Sequence, residues 1–322
     1  MVRICLKGVP PMVQIIKTED GKLNLLPEIV KDSWIMMTDP TTAELEEISS
    51  YFKMDIDDLK APLDEEERSR IDVEDNYTMI LVDIPMTEER NGKDWYVTVP
   101  LGIYVFRDHV ITVCLYPTPI LEAFRDGRVK EYHSYMKTRF IYQMLYRNAS
   151  LYLQYLRNIE KKSTEIEQKM RINQKNQELV ELMELQKSLV YITTSLRSNE
   201  AVLEKLMRSD RIKRYPEDTE LLEDVIIENK QAIEMANIYS GILNNTMDVF
   251  ASIISNNLNF VMKFLTVVTI ILAVPTLISG FYGMNVSDEM MPFAHQPYAF
   301  PIIVVISMLI ALFVGWYFNR KK

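Results

Sequence analysis

Two long uncharged segments lie near the C-terminal end of the chain. The first runs from Phe264 to Tyr282 and the second from Tyr298 to Phe318, which is 19 and 21 residues without a charged side chain. A helix needs about 20 apolar residues to cross the ~30 Å hydrocarbon core of a bilayer. Uncharged runs of this length are uncommon in soluble helices, and aromatic residues stand at the ends of both. The pattern therefore predicts two transmembrane helices.

The flanking charges predict the orientation of these helices. Lys263 precedes the first span, and Arg320, Lys321 and Lys322 follow the second, whereas the connection 283–297 contains no lysine or arginine. Because basic residues stay on the cytoplasmic side, we expect both termini in the cytoplasm and the short connection outside. The first residues lack the apolar core of a signal peptide, so we expect a multi-pass protein of the cell membrane with a cytoplasmic body of about 260 residues.

The first part of this body, residues 1–125, has the pattern of an α/β domain. Short runs rich in valine, isoleucine, tyrosine and threonine are bounded by polar or Gly/Pro turns, which predicts strands. These runs are 33–38, 77–84, 97–106 and 109–116. Residues 41–54 have helical spacing, and Asp39-Pro40 or Thr41 can start that helix.

The rest of the body, residues 126–258, is predicted to be helical. Neither glycine nor proline occurs between Gly127 and Pro216, and strong helix formers dominate. We expect at least two long antiparallel helices with a break near 171–176.

A further helix is expected to start at about residue 218 as a stalk and to continue into the first span, to about 281. From Pro216 to Pro275 the only glycine is Gly241. A break near Gly241 or Asn244-Asn245 is the alternative. The predicted order after the body is transmembrane helix 259–282, outer loop 283–297, transmembrane helix 298–318 and basic cytoplasmic tail 319–322.

Composition and charge exclude several other classes of protein. The formal charge is −9, from 45 acidic and 36 basic residues, which argues against nucleic-acid binding. The only two cysteines, Cys5 and Cys114, rule out a disulfide scaffold and a four-cysteine zinc site within one chain. The sequence has no P-loop, GxSxG or HExxH motif, so we expect neither an enzyme nor an organic cofactor.

The first span carries a polar stripe, formed by residues that follow one another in steps of three or four and so share one helical face. These residues are Asn259, Met262, Thr266, Thr269, Ala273, Thr276 and Gly280. Several copies of the chain could direct their stripes to a common axis and line a pore. Alternatively, the hydroxyl groups could bond back to their own helix, which is common in membranes.

The residues Gly283-Met284-Asn285 follow the first span directly, and a short outer loop, a second span and a basic C-terminus come after them. This arrangement resembles the CorA family of divalent-cation channels, the transporters with two transmembrane helices and a Gly-x-Asn motif. The resemblance implies a homopentamer with an α/β cytoplasmic domain, a long helical stalk and two transmembrane helices per protomer. It also implies influx of Mg²⁺, with Co²⁺ or Ni²⁺ sometimes carried, and no organic cofactor.

The resemblance also assigns roles to individual residues. Gly283, Met284 and Asn285 become the selectivity filter, where neutral side-chain carbonyls bind the waters of a hydrated Mg²⁺ ion. Rings facing the pore fall on Asn259, Met262, Leu265, Ala273 and Thr276, and some relatives carry methionine where this chain has Ala273. The regulatory Mg²⁺ site that closes the channel falls on Asp224, Glu88 and Glu89. The loop residues Asp288 and Glu289 could concentrate cations at the mouth or remain solvated loop charges.

Two alternatives stay open at the level of the sequence. A zinc transporter of the same superfamily, similar to ZntB, would share this architecture. A membrane-anchored sensor or interaction protein without transport would show no cation flux. The expected partners are other copies of the chain, membrane lipid and divalent cations.

Overall fold

The structure, a computed structural model of the 322-residue chain, describes residues 13–19, 22–90, 92–173, 176–209, 216–285, 291–292 and 296–320. The chain divides into two compact units, Met1–Met247 and Asp248–Lys322. The first unit contains a mixed β-sheet and most of the helices, and the second contains the two apolar helical segments.

The sheet of the first unit has seven strands within the described residues, in the order β2-β1-β3-β7-β6-β5-β4. Only β3 and β7 pair in parallel, and every other neighbouring pair is antiparallel. The strands are β1 Val13–Glu19, β2 Lys22–Leu26, β3 Trp34–Thr38, β4 Arg70–Val73, β5 Tyr77–Arg90, β6 Lys93–Phe106 and β7 Val110–Cys114.

Strand β3 shows how the sheet separates two hydrophobic cores. Successive side chains of a strand point to opposite faces. Trp34 and Met36 accordingly pack on one face, among residues of the long helices, while Ile35 and Met37 pack on the other. All five residues of β3 are buried. The α/β body is therefore a three-layer structure with helices on both faces of the sheet.

The short helices α1 Thr42–Phe52 and α2 Ile56–Lys60 cover one face of the sheet, with Leu45, Ile48 and Leu59 in that core. Thr41 begins α1 with a capping box: its hydroxyl accepts from the backbone N–H of Glu44, and the Glu44 carboxylate accepts from the N–H of Thr41. Thr41 was one of the two starting points that the sequence predicts for this helix. A 3₁₀ turn, Ala61–Leu63, follows α2.

The other face of the sheet is covered by one short helix, α3, and by three long helices. They are α3 Pro119–Arg125, α4 Lys137–Asn173, α5 Asn176–Arg208 and α6 Pro216–Tyr282. Leu203 of α5 and Leu222 of α6 are buried in this core. Helix α6 has 67 residues without interruption, so it contributes to both units, and Gly241 does not break it.

The second unit consists of the C-terminal part of α6 and helix α7 Ala299–Arg320. By length and composition, two helical segments, Glu217–Tyr282 and Phe300–Phe318, are suited to cross a membrane. Their apolar side chains are largely exposed, for example Leu272 at 64% and Leu312 at 68%. A surface of this kind requires lipid or other protein chains around it.

Candidate pore helix and ion filter

Helix α7 covers one face of the C-terminal part of α6. At Gly315 of α7, an added Cβ atom would lie 3.3 Å from Cδ1 of Ile271, so the two helices are in close contact there. The residues of α6 on the same face as Ile271 are partly covered. They are Val267, Val274, Ile278 and Tyr282.

The contacting face of α7 is built from small residues. Ser307, Ala311 and Gly315 are spaced by four residues and therefore lie above one another on one side of the helix. Ser307 is buried, and Ala311 and Gly315 are partly covered. Small side chains let membrane helices approach closely, since association there depends on van der Waals packing.

The polar stripe lies on the opposite side of α6. At 3.6 residues per turn, the centre of the stripe is about 150° from the face that α7 covers. Every residue of the stripe is exposed, and so is Leu265. The five residues that the sequence assigns to pore rings therefore share a side of α6 that no other described element covers.

The threonine hydroxyls of this side all bond back to their own helix. Thr266 donates to the carbonyl of Met262 at 2.8 Å, Thr269 to that of Leu265 at 2.8 Å, and Thr276 to that of Leu272 at 2.9 Å. A hydroxyl has one hydrogen and two lone pairs. Because the hydrogen is used within the helix, each exposed hydroxyl oxygen offers only acceptor lone pairs to its surroundings.

The predicted filter begins where α6 ends. The N–H of Gly283 still donates to the carbonyl of Ser279 at 3.0 Å, and the N–H of Met284 donates to that of Phe281 at 3.4 Å. Among the described glycines only Gly92 and Gly127 have positive φ, and Gly283 continues the helical hydrogen bonding beyond Tyr282.

Met284 and Asn285 are both exposed, Met284 at 53%. The hydroxyl of Tyr282 donates to the carbonyl of Pro292 at 2.6 Å and so ties the residues after the filter to the end of α6. The predicted cation-attracting residues Asp288 and Glu289 lie outside the described residues.

The predicted regulatory residues lie in the first unit. Asp224 is exposed on α6. Glu88 is half-buried and Glu89 is exposed on β5, opposite Trp95 and Asp94 of β6. No group of three or more His, Cys, Asp or Glu side chains suited to hold a metal occurs in the described part of the chain.

A buried polar network around Asp83 of β5 was missed by the sequence analysis. Strand β4 begins with Arg70, opposite Leu81, so no strand of the described residues lies beside the backbone of Asp83 on that edge. Asn199 of α5 takes the place of a strand, since its Oδ1 accepts from the N–H of Asp83 at 2.9 Å and its Nδ2 donates to the carbonyl at 2.8 Å. Asn148 and Tyr152 of α4 donate to the same carbonyl.

The sequence marks the position of this network but not its partners. Asp83 interrupts the apolar run 77–84, where a charged residue on a buried strand needs partners. A second buried amide continues the connection to α6, because Asn229 donates to the carbonyl of Leu196 at 3.1 Å. The network joins the sheet to α4 and α5, and α5 to α6.

Comparison with known proteins identifies the family. The sequence model of the CorA-like Mg²⁺ transporter proteins matches residues 32–321. The chain belongs to this family. The cobalt/magnesium transport protein CorA of Methanocaldococcus jannaschii is 30% identical over 322 residues, 97% of this chain and 95% of that protein. The resemblance inferred from Gly283-Met284-Asn285 is thus confirmed.

Solved structures support the same assignment. The complete structure of the CorA magnesium transporter from Methanocaldococcus jannaschii matches with a TM-score of 0.84 and 27% identity, covering 98% of this chain and 99% of that one. The predicted CorA-like fold class, an α/β domain with a long helix and two apolar helices, is confirmed. The ZntB cytoplasmic domain from Vibrio parahaemolyticus matches with a TM-score of 0.59 at 14% identity, which shows a shared fold alone.

Proposed function

We propose that five copies of this chain surround a pore lined by the polar stripe of α6, and that the pore carries Mg²⁺ into the cell. The observation that carries the proposal is the exposed stripe opposite α7, which leads to Gly283-Met284-Asn285 at the end of the helix. One helix cannot enclose a pore, but a ring of identical helices places identical residues around one axis. In this arrangement α7 lies on the outside of α6.

The chemistry of the stripe suits a cation that keeps its water shell. Mg²⁺ dehydrates reluctantly, and its bound waters present hydrogens outward. The threonine hydroxyl oxygens of α6 have only lone pairs to offer and accept those hydrogens. Asn259 adds amide oxygens at the inner end, and Met262 and Leu265 form an apolar ring where the pore closes by dewetting. Ala273 makes a wider ring than methionine would.

Asn285 acts as the filter in this proposal. Five amide oxygens at the outer end of α6 accept hydrogen bonds from the hydrated ion and hold it without a full negative charge. A neutral ring binds less tightly than five carboxylates would, so the ion can leave inward. Two positive charges crossing 100 mV gain about 4.6 kcal/mol, which is enough to drive influx without ATP. Co²⁺ and Ni²⁺ are the further cations that we expect to pass.

Closure depends on carboxylates between neighbouring copies. Residues 1–258 hold 43 acidic and 32 basic side chains, so facing surfaces of neighbouring bodies repel. A Mg²⁺ ion between Asp224 of one copy and Glu88 and Glu89 of the next relieves the repulsion and favours the closed state. Loss of cytoplasmic Mg²⁺ empties these sites and favours the open state. Both termini lie in the cytoplasm in this scheme.

The experiment is uptake of Mg²⁺, Co²⁺, Ni²⁺ and Zn²⁺ into liposomes that contain the purified chain, with native mass spectrometry for the number of copies. We expect Mg²⁺ uptake by the parent and at least a tenfold loss in Asn285→Ala, since the filter then lacks its amide oxygens. Asn244→Ala, an exposed amide of α6 in the first unit, serves as the control and keeps the parent rate.

Parent-like Mg²⁺ uptake by Asn285→Ala, or a monomer in both detergent and bilayer, would refute the proposal. Zinc uptake that depends on a proton gradient, without Mg²⁺ flux, would favour the zinc transporter. Absence of any cation flux would favour a sensor or anchor.

A further inference from the structure

Three side chains form a ladder on α7, at its C-terminal end. The rings of Phe313 and Trp316 have centroids 6.0 Å apart, and the guanidinium carbon of Arg320 lies 5.2 Å from the centre of the Trp316 ring. Phe313 is 62% exposed and Trp316 is 54% exposed. A guanidinium over an indole face is a favourable cation–π contact.

The ladder lies on the side of α7 that faces away from α6. At 3.6 residues per turn, its centre is about 170° from the centre of Ser307, Ala311 and Gly315, the small residues on the α6 side. This step rests on the proposed function: if the polar stripe faces the axis, α7 lies outside α6. The Phe313–Trp316–Arg320 ladder is then directed to the lipid.

Arg320 has no carboxylate partner within the described residues. Its contact with Trp316 uses the face of the guanidinium and leaves the N–H groups at the edge available. Helix α7 contains no acidic residue, and Asp248 is the only acidic residue in the described part of the second unit. No acidic side chain of the described second unit therefore neutralises this charge, and an anion from outside the chain can approach it.

We propose that this ladder binds the phosphate group of an anionic phospholipid in the leaflet next to the C-terminal end of α7. The planar guanidinium matches two phosphate oxygens with two parallel N–H groups. Trp316 lies at the depth where an indole ring favours the interface, and Phe313, one turn deeper, lies beside the acyl chain. The bound lipid neutralises Arg320 without any acidic side chain.

The experiment measures quenching of tryptophan fluorescence by brominated lipids. The chain has three tryptophans, of which Trp34 is fully buried in the first unit and Trp95 lies on β6, so brominated acyl chains report on Trp316. Full-length chain is placed in phosphatidylcholine vesicles with equal fractions of either brominated phosphatidylglycerol or brominated phosphatidylcholine. We expect at least twofold stronger quenching by the phosphatidylglycerol.

Arg320→Gln should bring the ratio of the two quenching constants close to one. Lys321 and Lys322 remain in this variant, so the effect isolates the stacked guanidinium. Lys230→Gln, which removes one exposed cation of α6 in the other unit, should keep the parent ratio. An excess of inorganic phosphate should leave the ratio unchanged, since the lipid phosphate is held in the bilayer beside the site.

Equal quenching by both lipids in the parent, an unchanged ratio in Arg320→Gln, or loss of the preference in inorganic phosphate would each overturn the lipid site. Mg²⁺ uptake is measured in the same vesicles. Intact uptake without lipid preference refutes the lipid site alone. Lipid preference without uptake refutes the proposed pore and leaves the lipid site standing.

Discussion

Asp83 is an unusual residue for its position, because its carboxyl group lies largely out of water between β5 and two long helices. Burial raises the pKa of Asp83, and the nearby hydroxyls of Ser195 and Ser69 offset only part of that effect. The backbone of the same residue is fully bonded through Asn199, Asn148 and Tyr152. The hydrogen bonds at this position are therefore made by the backbone of Asp83, whereas burial disfavours the ionised form of its carboxyl group.

Asp83→Asn should make the fold less sensitive to pH. The folded chain holds the Asp83 proton more tightly than the unfolded chain does, so the free energy of unfolding falls as pH rises from the ordinary carboxyl pKa toward the raised one. An amide does not titrate and avoids this loss. We expect the variant to melt near the parent temperature at about pH 4 and at a higher temperature at about pH 7. Each kcal/mol gained in the free energy of unfolding raises the melting temperature by about 2–4 °C.

The measurement is thermal unfolding of the full chain in detergent across this pH range. Asp94→Asn, which changes an exposed carboxylate of β6, is the matched control and should follow the parent curve. If the melting temperature of Asp83→Asn differs from that of the parent by the same amount at every pH, the pKa of Asp83 does not differ between the folded and unfolded states.

At the scale of elements, the contact between α6 and α7 depends on the absence of a side chain at Gly315. Gly315→Leu places several atoms where even a Cβ would lie 3.3 Å from Ile271. Overpacking of this kind costs about 1–3 kcal/mol. We expect a lower melting temperature and a lower yield of assembled protein, measured in detergent by scanning calorimetry and native mass spectrometry.

The control for that prediction is Gly241→Leu. Gly241 also lies inside a helix, and an added Cβ there meets nothing within 4 Å. This change should leave stability unchanged or raise it slightly, because leucine favours helix more than glycine does. If both variants lose the same stability, close packing at Gly315 is not the cause.

The sequence predicts the regular elements of this protein well, because their hydrophobic patterns are strong. The four predicted strands overlap β3, β5, β6 and β7, and α6 continues through Gly241 as expected. The strands β1, β2 and β4 were missed. The exposed positions of β2 weaken its alternation, and β4 has only four residues.

The sequence also predicts one part of the candidate site and misses another. Helical spacing alone places the polar stripe on one face of α6, whereas the identity of the covered face required the contact between Ile271 and Gly315. The strand-like contacts of Asn199 with Asp83 join residues 116 positions apart, and no local pattern encodes such a pairing. The assignments of Asp224, Glu88 and Glu89 remain predictions, since they concern surfaces between copies.

At the scale of the whole molecule, feedback by cytoplasmic Mg²⁺ should depend on Asp224 and Glu88 together. Asp224→Ala with Glu88→Ala removes carboxylates from both sides of the proposed site, so more Mg²⁺ is needed to favour the closed state. We expect the Mg²⁺ concentration for half-inhibition of uptake to rise severalfold, measured in liposomes with defined internal Mg²⁺.

The control pair is Glu66→Ala with Glu220→Ala, which removes the same charge from two exposed positions outside the proposed site. It should keep the parent concentration for half-inhibition. A parent-like value in the first pair would show that these two carboxylates do not sense Mg²⁺, and an equal rise in both pairs would show a general effect of net charge.

The internal hydrogen bonds of Thr266, Thr269 and Thr276 have a consequence for chloride and other anions. An anion needs N–H or O–H hydrogens to replace its hydration, and these three hydroxyls have already given theirs to carbonyls of α6. In the proposed pore, the stretch lined by such oxygens disfavours anions although it contains no fixed negative charge. The direction of three hydroxyl bonds then contributes to the sign of the ion that passes.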